Sequence, residues 1–198
     1  SPIPLYVELI ASKADLSQDT KAYLNMIGIA VGDIEETVRR MRRFYRERKD
    51  EELVPVDVSL AAQQAIELTR PRWRDLPQEE GITIGLRTDV QEDLPWVMGN
   101  EAEIRQAVTN LIINAVDAMP QGGTLTVRTR TDVDLSGNVI LEVLDTGIGM
   151  DKDTQERAFE PFFSTKGARG SGMGLATVYG TMKRHGGAAQ LDSTLVKG

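Results

Sequence analysis

Asn110-Leu111-Ile112-Ile113-Asn114-Ala115-Val116-Asp117-Ala118-Met119 is the stretch on which the reading of this chain turns. It lies in the best helical pattern of the second half, Glu101 to Met119. Asn110, Asn114 and Asp117 are spaced i, i+4 and i+7, so they share one helical face. Leu111, Ile112, Ala115, Val116 and Met119 supply apolar neighbours around them. A stripe of carboxamides beside an apolar core suits oxygen ligation of Mg²⁺, a hard cation usually held by few protein oxygens together with phosphates and water. A solvated helix face would use the same residue types, and two asparagines alone do not separate the readings.

Two further clusters follow. Asp145-Thr146-Gly147-Ile148-Gly149-Met150 closes the apolar run Val139 to Leu144. A carboxylate at a strand end can accept from an exocyclic amine, and the glycines let backbone approach a flat ring; a plain Asp-Thr-Gly turn is the simpler alternative. Gly170-Ser171-Gly172-Met173-Gly174-Leu175 opens a helix expected from about Gly172 to His185, after the loop Phe162-Phe163-Ser164-Thr165-Lys166. Glycines ahead of a helix start expose backbone N–H groups and the positive end of the dipole, which suits phosphate. Lys166 and Arg169 could reach terminal phosphates, or could be ordinary exposed cations. No strand immediately precedes the glycines and no GxxxxGK[ST] occurs, which excludes the dinucleotide fingerprint and the P-loop. Together the clusters specify a purine nucleotide held through Mg²⁺: Asp145 for the base, Asn114 for the metal, the Gly172 turn for phosphates.

In this order the clusters resemble the boxes of the catalytic, ATP-binding domain of sensor histidine kinases. Asn110-xxx-Asn114 is similar to the N box, Asp145 to Gly149 to the G1 box, Phe159-Glu160-Pro161-Phe162-Phe163 to the F box, and Gly170 to Leu175 to the G2 box. The match is specific between roughly residues 100 and 180 and extends weakly over nearly the whole chain; its short lid is similar to that of nitrogen-regulator-type kinases. The resemblance implies the Bergerat two-layer α/β sandwich of the GHKL superfamily, shared with gyrase, a heat-shock chaperone and mismatch-repair ATPases. It implies ATP and Mg²⁺ as cofactors. Asn110, Asn114, Asp117, Asp145, Gly147, Gly149, Thr165, Lys166, Gly170, Gly172, Met173, Gly174 and Leu175 would line the nucleotide site, with Asn114 on the metal and Asn110 and Lys166 catalytic.

The fold class expected is α+β, a helical hairpin in residues 1–53 followed by the sandwich in residues 54–198. Leu24, Ile27, Val31, Ile34, Val38, Met41 and Tyr45 form a heptad seam on a helix from about Ser17, its N-cap, to about Lys49. Ile3, Tyr6 and Ile10 mark a shorter helix before it. Two such helices bury their stripes poorly alone, so a four-helix homodimer is the natural completion. The resemblance makes them dimerisation and phosphotransfer helices. Beyond Pro55 the pattern gives a short strand at Val56 to Val58, a helix capped by Ser59 and running to about Arg70, and a strand at Ile82 to Thr88. It continues with a segment at Trp96 to Met98 before Gly99, and strands at Leu125 to Arg128 and Val139 to Leu144 across a Ser136-Gly137-Asn138 turn. A short helix near Asp153 to Ala158 and a strand at Ala188 to Leu191 complete an antiparallel-leaning sheet with its helices. The basic run Arg39, Arg40, Arg42, Arg43, Arg46, Arg48 and Lys49 is a solvated coiled-coil flank or a docking face for an acidic receiver domain.

Composition sets the limits. Lys+Arg number 23 against 30 Asp+Glu, a net charge of −7, with 40% hydrophobic residues, no Cys and one His. The apolar share supports a packed core, and no run approaches the roughly 18 apolar residues of a membrane span. Without Cys there is no thiolate nucleophile or Cys-ligated zinc, and one His excludes a His-rich metal centre. Acidity argues against nucleic acid as a partner. The expectation is a cytoplasmic segment with no membrane contact of its own, in a full-length protein that is either free or membrane-tethered.

In the family resembled here the phosphate acceptor is a histidine on the first helix, and no histidine stands there. His185, in Lys183-Arg184-His185-Gly186-Gly187, has the pattern of a helix ending. The acceptor is expected about two helical turns upstream of Ser1, so these residues alone would not autophosphorylate. The implied reaction passes the γ-phosphoryl group of MgATP to that histidine, for relay to an aspartate of a response-regulator receiver domain. The alternative is a GHKL-type ATPase or ATP-dependent conformational switch. Those relatives carry a water-activating glutamate at the position of Asn110, and a carboxamide takes no proton near neutral pH. A nucleotide-binding dimeric scaffold without turnover is the non-enzymatic reading.

Overall fold

Alternating polar and apolar residues in Leu125-Thr-Val-Arg-Thr129 give a strand with Leu125, Val127 and Thr129 all buried on one face. Around it is built the second of two compact units, Ser1–Lys49 and Asp50–Gly198, into which the chain separates. A computed structural model describes residues 17, 20, 23, 24, 26, 27, 52–132, 137–167 and 170–195.

Of the hairpin expected over residues 1–53, nearly all lies outside the described residues. Ser17 Oγ accepts from the Thr20 N–H at 3.2 Å, the bond an N-cap at Ser17 would make. The seam beyond Leu24 and Ile27 lies outside them.

In the second unit, strands β1 (Val54–Val56) and β3 (Val97–Gly99) pair antiparallel. Strands β2 (Ile84–Val90), β4 (Gly123–Thr131) and β5 (Val139–Asp145) form a second sheet in the order β2-β4-β5. The sheet is mixed rather than antiparallel-leaning, because β2 runs parallel to β4 while β4 and β5 are antiparallel. Helices α1 (Val58–Arg70) and α3 (Glu101–Asp117) lie against this sheet, and α5 (Gly174–Arg184) flanks α3. The result is the expected two-layer α/β sandwich. Its main core joins Ile66 and Trp73 to Val108, Ile112, Val116, Met119, Leu125 and Val127. Ala61, Ala62 and Ala65 are fully buried on α1, small residues that bring that helix close to its neighbours. Truncating a side chain as enclosed as Ile112 or Leu125 to Ala costs about 2–5 kcal/mol.

Several boundaries move for identifiable reasons. The first strand ends at Val56 and Asp57, not Ser59, caps α1, its Oδ1 accepting from the Leu60 N–H at 3.0 Å. Ser59 instead tethers the helix to the sheet through Gln91 O and Thr129 Oγ1. A π-helical turn over Pro71–Asp75 and the short α2 (Leu76–Glu79) follow α1, neither of them foreseen. Ile82 belongs to the turn after α2, its N–H bonded to Pro77 O, so β2 starts at Ile84. The short helix α4 spans Lys152–Arg157 and is capped by Asp151. No strand forms at Ala188 to Leu191. The segment beyond it is held by side chains: Ser193 Oγ accepts from the Met150 N–H at 2.9 Å, and Gln155 Nε2 donates to Ser193 O at 3.0 Å.

Among the described residues no helix is long and apolar enough to cross a membrane.

Candidate nucleotide site

Asn110, Asn114 and Asp117 occupy the last two turns of α3, as the spacing requires. The start of α5 packs directly on the two asparagines. A Cβ added to Gly174 would stand 3.2 Å from Asn114 Nδ2, and Asn110 Nδ2 lies 3.4 Å from Gly174 O. Gln106, one turn before Asn110 on the same face, donates to Asn110 Oδ1 at 3.1 Å and so orients that amide. The i, i+4 spacing could have revealed Gln106 in the sequence.

The Asp145 cluster is fixed against the end of α3. Ile148 N–H donates to Ala118 O at 2.9 Å, and a side chain at Gly147 would collide with that carbonyl. Asp145 ends β5, exposed, with Oδ1 accepting from the Gly147 N–H at 2.8 Å. A carboxylate has acceptor capacity beyond that one bond, enough for an amine of a purine. Thr146 Oγ1 accepts from the Thr124 N–H, which ties the loop to β4. Gly149 has φ +69° and its open side faces Thr194 O, so the chain after α5 closes over this loop.

The glycine-rich cluster leads into an uncapped helix. Asp57, Asn100 and Asp151 cap α1, α3 and α4 with side-chain oxygens, whereas Met173, at the N-cap of α5, makes no side-chain cap bond. The first N–H groups of α5, from Gly174 and Leu175 onward, therefore keep their capacity to bind an anion. The loop before it is closed at its base: Phe162 N–H donates to Gly172 O at 2.9 Å, and the two residues have φ of +69° and +62°. Gly170 sits against Ser164 Oγ, leaving no space for a side chain. From this loop Lys166 extends to α3, its Nζ 2.8 Å from Asp117 Oδ2 and 3.4 Å from Asn114 Oδ1. Thr165 is exposed beside it. Arg169 lies outside the described residues. Arg72, on the π-helical turn, donates to the other oxygen of Asp117 at 3.0 Å. Nothing local in the sequence marks Arg72, which is brought there by the fold.

The lone histidine has a different task. His185 Nε2 accepts from the Asn100 N–H at 2.9 Å, and Nδ1 lies 2.7 Å from Thr181 O, so the ring proton sits on Nδ1. His185 thereby joins the end of α5 to the start of α3, away from Asn114 and Lys166.

A sequence-family model described as "Histidine kinase-, DNA gyrase B-, and HSP90-like ATPase" matches residues 99–198, half of the chain. The chain belongs to this ATP-binding family. The sensor kinase CckA of Brucella abortus is 40% identical over an alignment of 131 residues that covers 60% of this chain and 14% of CckA. A mycobacterial sensor histidine kinase, MprB, superposes with a TM-score of 0.56 at 30% identity, covering 68% of this chain and 80% of that one. Full-length ShkA in complex with AMPPNP superposes with a TM-score of 0.62 at 26% identity, covering 93% of this chain and 38% of ShkA. The chain thus spans only about a seventh of the length of CckA. Membership agrees with the ordered boxes from Asn110 to Leu175 and with the sandwich.

Proposed function

We propose that the chain is the catalytic core of a two-component sensor histidine kinase, binding MgATP between α3, the Asp145 loop and the start of α5. The observation that carries this reading is the convergence of Asn114, Lys166 and the uncapped start of α5 on one place, with Gly174 packed against Asn114. The kinase relatives support it, and ShkA is described with an ATP analogue.

The donor set suits Mg²⁺ rather than a protein-caged metal. Among the described residues no group of three or more His, Asp or Glu could hold an ion. What the site offers is one carboxamide oxygen of Asn114, as expected for a cation held mainly by phosphates and water. Bound there, Mg²⁺ would neutralise charge on the phosphates. Asp145, Gly147 and Gly149 would hold the base. Gly170, Gly172, Met173, Gly174 and Leu175 would hold the phosphate tail through backbone N–H groups, and Thr165 and Lys166 would cover it. Asn110 would position the reacting end, and Lys166 would stabilise the transferring group's charge. The acceptor is a histidine on a hairpin formed by residues 1–53 and the chain before them, within a homodimer, and a response-regulator aspartate receives the group next. The protein acts in the cytoplasm.

Asn110 in place of a carboxylate favours transfer over hydrolysis, since an amide cannot take a proton from water. The test is labelling with γ-labelled ATP in a chain extended upstream through the expected histidine. Acid-labile label on the protein is expected; steady phosphate release with no labelled protein would overturn the kinase reading in favour of an ATPase.

A further inference from the structure

Asp117 is a misplaced charge by two criteria. It is an acid in the last turn of α3, where the helix dipole favours cations and where no basic residue stands. It also lies one turn from Asn114, beside the place assigned to a polyphosphate, which it would repel. Two cations from separate parts of the chain offset this, one on each carboxylate oxygen: Lys166 at 2.8 Å and Arg72 at 3.0 Å. As a device for stability the arrangement is weak, because Arg72 is 51% exposed and surface ion pairs contribute about 0–1 kcal/mol. Its placement is nevertheless firm. The π-helical turn that carries Arg72 is pegged by Trp73, buried at 8% exposure with Nε1 donating to Ile66 O at 3.1 Å.

We propose that Arg72 is a positioning residue of the nucleotide site, one that neutralises Asp117 so that Lys166 can be shared with the terminal phosphates. Arg72, Asp117 and Lys166 together carry one net positive charge facing the phosphate tail. Without Arg72 the sum falls to zero, and Lys166 becomes the sole counter-ion of Asp117 and is withheld from the ligand. The effect therefore grows with the number of phosphates and spares the base. It also depends on Asp117: once that carboxylate is removed, Arg72 has nothing left to neutralise. This inference rests on the ATP reading of the site.

The experiment is calorimetric titration of adenosine, MgADP and MgATP into the full chain and into Arg72→Met, Asp117→Asn and the double variant. Arg72→Met should weaken MgATP about tenfold and MgADP less, with adenosine unchanged. The double variant should bind MgATP no more weakly than Asp117→Asn alone, because without that carboxylate Arg72 has nothing left to neutralise. Unchanged MgATP affinity in Arg72→Met would reduce the contact to a surface ion pair. A double variant clearly weaker than Asp117→Asn would mean that Arg72 touches phosphate or supports the fold, and either result overturns the proposal. An unmodified chain that binds neither adenosine nor MgATP would instead overturn the reading of the site itself. Arg72→Lys, which keeps the charge, should lose less than Arg72→Met, and an equal loss would contradict the charge argument.

Discussion

Gly172 has no room for a side chain because the backbone of Phe162 passes against it, and the Phe162 N–H is bonded to the Gly172 carbonyl at 2.9 Å. The contact closes the base of the loop that carries Lys166. Both residues adopt positive φ, so strain at Phe162 is tolerated to make this closure. Gly172→Ala should destabilise the fold by about 1–3 kcal/mol. It should also weaken MgATP by at least about tenfold, because Lys166 and the start of α5 lose their common anchor. Chemical denaturation and calorimetry read the two effects separately, and intact affinity would show that the closure does not position the site.

Asp145 offers only acceptors, which suits an amine and not a carbonyl at the corresponding position of another purine. Asp145→Asn keeps an oxygen for the Gly147 N–H but adds a donor. It should cost ATP about 1.5–3 kcal/mol of binding and narrow the preference for ATP over GTP, measured by competition. A preference that survives would place base recognition elsewhere.

Asp151 gives a pH dependence of known direction. The Thr154 side chain first, and its backbone N–H second, hold the Asp151 carboxyl below the usual aspartate range. A depressed folded value means that the cap's contribution is complete above the unfolded value, about pH 4, and is lost as pH falls through the lower folded one. Amide exchange over α4 should therefore accelerate in that acid window. Asp151→Asn should remove the acid dependence, and an unaltered profile would assign it to another group.

His185→Ala removes the acceptor of the Asn100 N–H at the start of α3. The expected loss is about 1–3 kcal/mol of stability. In a chain extended upstream, phosphorylation should persist at temperatures where the variant stays folded. Abolished labelling in a folded variant would give His185 a part in the chemistry.

The geometry of the candidate site was legible in the sequence where it is local. Asn110, Asn114 and Asp117 share a face because helical spacing fixes it, and Gly147, Gly172 and Gly174 are glycines because backbone or amide groups stand where a side chain would be. What the sequence hid depends on long-range placement. Arg72 reaches Asp117 from a π-helical turn that no periodic pattern announces, and the parallel pairing of β2 with β4 cannot be read from alternation, which is alike in both strand directions. The strand expected at Ala188 to Leu191 failed because apolar character alone does not form a ladder; Ser193 and Thr194 instead close over the Asp145 loop. Ser59, the expected cap, is drawn instead to Thr129 across the core, and Asp57 takes the capping position.

If Asn114 and the groups around it bind MgATP, removal of the Asn114 amide removes that binding. Calorimetric titration of MgATP into the chain and into Asn114→Ala tests it most directly, with thermal unfolding showing that the variant is folded. Saturable binding is expected, reduced by at least about a hundredfold in Asn114→Ala, as for loss of an essential metal-phosphate ligand. Equal affinity in a folded Asn114→Ala variant would contradict it.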